Sequence, residues 1–505
     1  MPLKQDPLFN LLQSLTAAEK RYLKVFASRY IRNRDTGYLS LLNIMLGMDK
    51  YDETKLRKYK GRNSAAAKLT ADKNYLYNFI LRAMRSFHEG RTVDTQLREM
   101  LISSHFLYDK RLYDQAHQLL VKAKKLARLH DRAPVLLDIL LMESKNTIEK
   151  KSVNQQILLD NIHQEAEMVI KQLQEEWPLI IVQQNIFLLH RSGYRLRDEV
   201  SLDRLEKLCS PEILGEKLIS ERFTPAYYQL FVQALYYQCR GDYKMAVNAY
   251  EKLIVLWNLH PKSQEESRIQ HKKNLTNYAS VCLEGEFIDR VPDLLKQIGN
   301  IPSNSLEEEA EQFQNIYFIQ LHYLMNTNGY DQLHKLSEQI TKGLEKYKTK
   351  INKARELAFF HNITIAWFLQ HKWKEATAWN KKIIEIERNN HRLDIQAFAR
   401  LMRLVLLYET GKHDLLEYEL INAERFLRSR RMWYVFESTI VRLLEKLLNT
   451  NEKEKPVLFE KVISTLGQQD RSDSPKRPLG LVEIMYWCRS YAENKTMLLL
   501  LNEEI

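Results

Sequence analysis

Chemistry needs particular side chains at particular spacings, and this sequence has the side chains without the spacings. Cys209, Cys239, Cys282 and Cys488 are far apart and form no C-x-x-C pair, the arrangement that redox and zinc sites use. The stretch from His163 to Glu167 comes nearest to H-E-x-x-H, but it lacks a second histidine one turn on. His361 and His371 are ten residues apart on or near one helix, so they do not converge on one metal. Glu307, Glu308 and Glu309 are consecutive; in a helix they splay by about 100° per residue and read as a solvated helix start. With 14 glycines in 505 residues and no G-x-x-x-x-G-K-[ST], no loop is built to cradle a phosphate. Cys239 and Cys282 are expected as small core residues rather than nucleophiles. The reading is of a non-enzyme with no cofactor and no metal.

Charge suggests a different activity. The net charge is +12, and residues 1–95 hold 18 basic against 9 acidic residues, three quarters of the excess. Such a segment attracts polyanions by counterion release. Lys20, Arg21, Lys24, Arg29, Lys55, Arg57, Lys58 and Lys60 are the candidate phosphate contacts. Tyr75 and Tyr77, near Lys73 and Arg82, offer rings to a base. The competing reading is a solvated basic surface and an aromatic stripe packed inside a bundle; both stay open here.

The elements that carry these residues are helices. The chain has only 14 glycines and 12 prolines, and these are the residues of tight turns, so a fold of many β-hairpins is nearly excluded. In the first 95 residues, Thr16 with Glu19 three places on is a capping-box pattern. Behind it Tyr22, Leu23, Phe26, Ala27, Tyr30 and Ile31 recur at helical spacing. Further helices are expected over Tyr38–Leu46 and from Thr70, the latter with a stripe of Tyr75, Leu76, Phe79, Ile80 and Met84. No apolar run approaches the ~20 residues that span a bilayer. The N-terminus is polar, with no apolar core of signal-peptide length. A soluble protein of the reducing cytoplasm is expected, without membrane contact.

From about residue 96 the sequence repeats itself. Ala234, Tyr237, the turn Gly241-Asp242-Tyr243, Ala246 and Tyr250 form one unit. Comparable turns end at Tyr113, Phe287, Tyr330, Trp373 and His413, and from Tyr243 onward the steps are 44, 43, 43 and 40 residues. The longer gap from Tyr113 to Tyr243 implies two degenerate repeats, with turns near Lys150–Asn154 and Gly193-Tyr194. Thr224-Pro225 and Trp177-Pro178 look like helix starts. These small and aromatic residues around a Gly-x-aromatic turn resemble the tetratricopeptide repeat, and the chain is similar to large bacterial proteins with divergent repeats of this kind. Arg290 and Leu333 depart from the pattern, standing where alanine is expected.

The resemblance implies an all-α fold: a right-handed α-solenoid of TPR-like helical hairpins with an N-terminal helical domain. The expected domains are 1–95, a basic helical unit; 96–450, the repeat array; and 451–505, capping helices with a linker near 468–479. It also implies a protein or peptide partner held on the concave face. Counting from the turns, Phe231, Leu235 and Gln238 in one repeat and His361, Ile365 and Phe368 in another are the partner-binding candidates, with inter-repeat packing the alternative at each. Two functions from different classes follow. One is a protein- or peptide-binding scaffold; the other is a nucleic-acid-binding regulator with a basic N-terminal domain and a TPR-like sensor. An enzyme acting on a bound partner would need an acidic or amide group that nothing in the sequence singles out.

Overall fold

A computed structural model describes residues 6–30, 36–48, 51–56, 66–90, 92–150, 154–192, 199–285, 287–386, 392–470 and 478–504. The described residues form 26 α-helices and two short 3-10 turns, with no strand among them. The chain divides into two compact units, Met1–Trp177 and Pro178–Ile505. No helix among the described residues is long and apolar enough to cross a membrane.

The first unit has two cores. Helices Pro7–Ser14, Ala17–Tyr30, Thr36–Leu46 and Ala66–Phe87 bury Leu8, Leu12, Leu23, Leu41, Leu76 and Ile80 together. The capping box forms as expected. Glu19 N–H donates to Thr16 Oγ1 at 3.2 Å, and Thr16 N–H donates to Glu19 Oε2 at 2.7 Å. Tyr30 and Tyr75 leave the expected apolar stripes and are exposed. The helix expected from Thr70 begins four residues earlier, at Ala66. The second core joins Val93–Asp109, Tyr113–Leu129, Ala133–Glu149 and the start of Gln155–Ser192 through Leu97, Leu120, Ile139 and Ile162. Trp177-Pro178 is no helix start: Pro178 lies inside this last helix, which is 38 residues long. Proline deprives the carbonyl four residues back of its donor. Here that residue, Gln174, is exposed, so water can supply one.

The second unit is an α-solenoid of antiparallel helix pairs. Its hairpins are Phe223–Arg240 with Tyr243–Leu259, Arg268–Glu284 with Val291–Asn300, Leu306–Asn326 with Leu333–Lys346, Lys353–Leu369 with Trp373–Glu385, and Leu393–Glu409 with His413–Ser429. Phe223, not Thr224-Pro225, opens the first of them. The turns explain why the repeat was legible. Gly241 and Gly411 adopt left-handed backbone at φ 76° and 66°, and Asn328 and His371 do the same at 54° and 57°. This reversal lets the next N–H bond a carbonyl five residues back, as Asp242 does to Tyr237 at 2.9 Å and Lys412 to Leu407 at 3.0 Å. Tyr243, Trp373 and His413 are then the first residues of the second helices.

Three residues into those helices Ala246 and Ala376 are fully buried, where a small side chain allows close approach. Arg290 and Leu333 are too large for that. In both hairpins a 3-10 turn, Ile288–Arg290 or Tyr330–Gln332, precedes the second helix, which is shortened to 10 and 14 residues. From Arg268–Glu284 onward each first helix also packs on the next first helix, so their free faces form one surface.

The array closes with Val435–Leu447, Lys455–Asp470, Leu481–Ala492 and Met497–Glu504. Leu481–Ala492 turns back to pack on Lys353–Leu369 as well as on Lys455–Asp470. Residues 471–477 of the expected linker, and Gly193-Tyr194, lie outside the described residues.

Candidate functional site

The free faces of the first helices enclose two adjoining cavities of about 470 and 630 Å³. Ser280, Phe318, Ile319 and Arg355 border both, so the two make one groove. Its wall is built by residues at helical intervals: Gln270, Lys273, Asn277 and Ser280 on one helix, and Glu311, Asn315 and His322, with the ring of Phe318 between them, on the next. That spacing was visible in the sequence. Counting residues from the turn located the helices, whereas following the polar row along each would have located the groove.

The expected partner-binding residues separate into two groups. Phe231 and Gln238 border the smaller cavity and His361 the larger, although all three are largely buried. Leu235, Ile365 and Phe368 are in the hydrophobic core, each no more than 2% exposed. Ile365 and Phe368 share that core with Ile484, Trp487 and Met497 of the closing helices, so the part of Lys353–Leu369 nearest the turn is covered. Sequence spacing could not reveal this, because the covering residues come from over a hundred positions later.

Burial sets the groove's electrostatics. It pushes the Glu284 carboxyl up against the pull of hydrogen bonds from Tyr243 and Gln238. Asn362 Nδ2 donates to His322 Nε2 at 2.8 Å. Burial, reinforced by Arg355, lowers His322 to about 4; burial, reinforced by Arg392, lowers His361 to about 4. Both rings are therefore neutral near pH 7. The Arg355 guanidinium lies 4.9 Å from the centre of the Phe318 ring.

All four cysteines are buried; desolvation raises Cys209, Cys239 and Cys282 to about 12 and Cys488 further, so none is a ready thiolate. Among the described residues no three His, Cys, Asp or Glu side chains are placed to hold a metal.

In the first unit Lys20, Arg21, Lys24 and Arg29 lie on the single helix Ala17–Tyr30, and none makes an ion pair with a described residue. Lys55 is exposed on the short helix Glu53–Leu56, while Arg57, Lys58 and Lys60 lie outside the described residues. Lys73 is committed to Asp6 at 2.9 Å and to the Tyr51 hydroxyl. Arg82 lies against the rings of Phe26, Tyr30 and Phe79.

No family model matches the sequence, and no curated protein matches it. Among solved structures, the crystal structure of the apo form of RapI is similar to this chain, with a TM-score of 0.43 and 14% sequence identity over 81% of this chain and 98% of the RapI chain.

Proposed function

We propose that the protein is a non-enzymatic scaffold that binds a peptide along the groove of its second unit, as its resemblance to tetratricopeptide repeats implies. The observation that carries this reading is the amide-rich wall. Gln183, Gln270, Asn277, Asn315 and Asn362 all border the groove, interleaved with Phe187, Phe231 and Phe318. An extended peptide presents one N–H and one C=O per residue, and a carboxamide is the side chain that both donates and accepts. Gln183 and Asn315 make no hydrogen bond to a described residue, so their capacity is unspent. The aromatic rings between them supply apolar contact for the peptide's side chains.

The test is retention of a random octapeptide pool by the full chain. The double variant Gln270→Ala with Asn315→Ala is expected to lower retention about tenfold, the equivalent of two net hydrogen bonds. Changing Lys296 and Lys335 to alanine on the second helices is expected to leave it unaltered. Equal losses, or no retention by the native chain, would refute the groove.

A second reading rests on the unpaired cations of Ala17–Tyr30, a surface for nucleic acid in the first unit. Labelled single-stranded and duplex DNA should then bind the full chain with a log–log salt slope of about −0.7 to −0.9 per phosphate contact. The variant Lys20→Glu with Lys24→Glu should flatten that slope. Absent or salt-insensitive binding removes this reading.

A further inference from the structure

We infer that two copies of this chain pair through the outward face of the helix His413–Ser429, antiparallel and about a two-fold axis. The inference does not depend on the peptide groove, whose lining residues come from other helices.

Asp414, Tyr418, Ile421 and Arg425 follow one another at steps of four, three and four residues, so they share one face of this helix. All four are exposed, Tyr418 at 64% and Ile421 at 61%. Leu415, also exposed, flanks them. The other hairpins show what this face carries elsewhere. Tyr243 and Trp373 open their second helices as His413 does. Counted from those residues, the places of Tyr418 and Ile421 are taken by Asn248 and Glu251 in one helix and by Ala378 and Lys381 in the other. Of these three helices, His413–Ser429 alone has two large apolar side chains there. Scattered exposed apolar residues need no explanation, but this pair is contiguous and framed by charge.

The charges identify what covers the pair. Asp414 and Arg425 stand at its two ends, and neither side chain makes an ion pair or a hydrogen bond with a described residue. Arg428, further along the same face, is already tied to Glu424 at 2.7 Å. The row therefore runs anion, apolar, apolar, cation. A second copy turned end for end about the midpoint between Glu419 and Leu420 brings each Tyr418 to the other copy's Ile421. The same turn brings each Asp414 to the other copy's Arg425. One row thus supplies both halves of its own complement, as an isologous interface requires. Parallel pairing would set Asp414 against Asp414 and Arg425 against Arg425, and like charges so placed repel. Charge fixes the antiparallel sense, and the apolar pair supplies the burial.

Size sets the strength. A helix of 17 residues is about 25 Å long. One face of it covers less than the roughly 800 Å² per partner of a tight complex, so the dimer should dissociate in the micromolar range.

Sedimentation equilibrium of the full chain from about 1 to 200 µM tests this, a range over which a micromolar Kd changes the dimer fraction. The mass should rise from that of one chain toward that of two. Ile421→Glu, which places a charge on the apolar seam, should weaken dimerisation at least about tenfold. Asp414→Arg and Arg425→Asp should each weaken it about three- to tenfold at low ionic strength. The two reversals combined should restore it, because the exchanged charges pair again. These side chains are exposed, so melting curves at the lowest concentration should be unchanged. A chain that stays monomeric up to about 200 µM overturns the interface. So does a dimer that none of the variants weakens, since it forms through another surface. A double reversal that recovers nothing overturns the antiparallel register.

Discussion

Replacing Gly480 with alanine should destabilise the second unit by about 3 kcal/mol, a loss that a melting curve or urea titration will register. Gly480 has φ +81°, a conformation that costs an L-residue about 1–2 kcal/mol. A β-carbon there would also meet the ring of Phe398, which is only 2% exposed and has no room to retreat. Overpacking of that kind adds about 1–3 kcal/mol. Gly411 provides the control. It shares the left-handed backbone at φ +66° but has nothing within 4 Å of the added carbon. Gly411→Ala should therefore lose only the backbone part, about 1 kcal/mol. Because Gly480 precedes Leu481–Ala492, its variant should also expose Trp487, seen as a red-shifted tryptophan emission. A Gly480→Ala loss no greater than that of Gly411→Ala would show that this contact does not hold the closing helices in place.

The second large effect is expected at Glu409. Its Oε1 accepts from Trp487 Nε1 at 2.6 Å and from the Tyr491 hydroxyl at 2.9 Å, joining the closing helix to Leu393–Glu409. Trp487 is fully buried, so Glu409→Ala strands an indole N–H and a hydroxyl and should cost about 2–4 kcal/mol. Glu409→Gln keeps an acceptor oxygen and should be close to the native chain.

The pH dependence of that pair has a definite sign. Burial raises the Glu409 carboxyl above its unfolded value, more than the bonds from Trp487 and Tyr491 and the nearby Lys455 lower it. The native state therefore holds its proton to higher pH than the unfolded chain. Glu409 favours folding most when protonated and loses that contribution as pH rises through the unfolded and then the folded value. Native stability relative to Glu409→Gln should thus improve toward acid pH and decline to a plateau above the folded value. A difference that is flat with pH, or reversed, would contradict this account.

The closing helices mark the boundary of what residue spacing reveals. The Thr16–Glu19 cap and the starts of the second helices at Tyr243, Trp373 and His413 were all legible, because each depends on contacts within about five residues. Ala246 and Ala376 were legible for a related reason: close approach of two helices in one hairpin demands a small residue at a set distance from the turn. Pro178 misled because a proline that favours a first turn is also tolerated in a long helix whose freed carbonyl reaches water.

The groove was half legible. Phe231, Gln238 and His361 border it, whereas Leu235, Ile365 and Phe368, chosen by the same counting, are core. Residue order and pattern were enough to establish helices, hairpins and their succession, since those are governed by hydrogen bonds and packing between near neighbours along the chain. Which face of each first helix stays open, and where the groove ends, depended on Leu479, Gly480 and Trp487 meeting residues about eighty to a hundred and twenty positions earlier. Contacts of that range leave no periodic trace, because only the folded path brings their partners together.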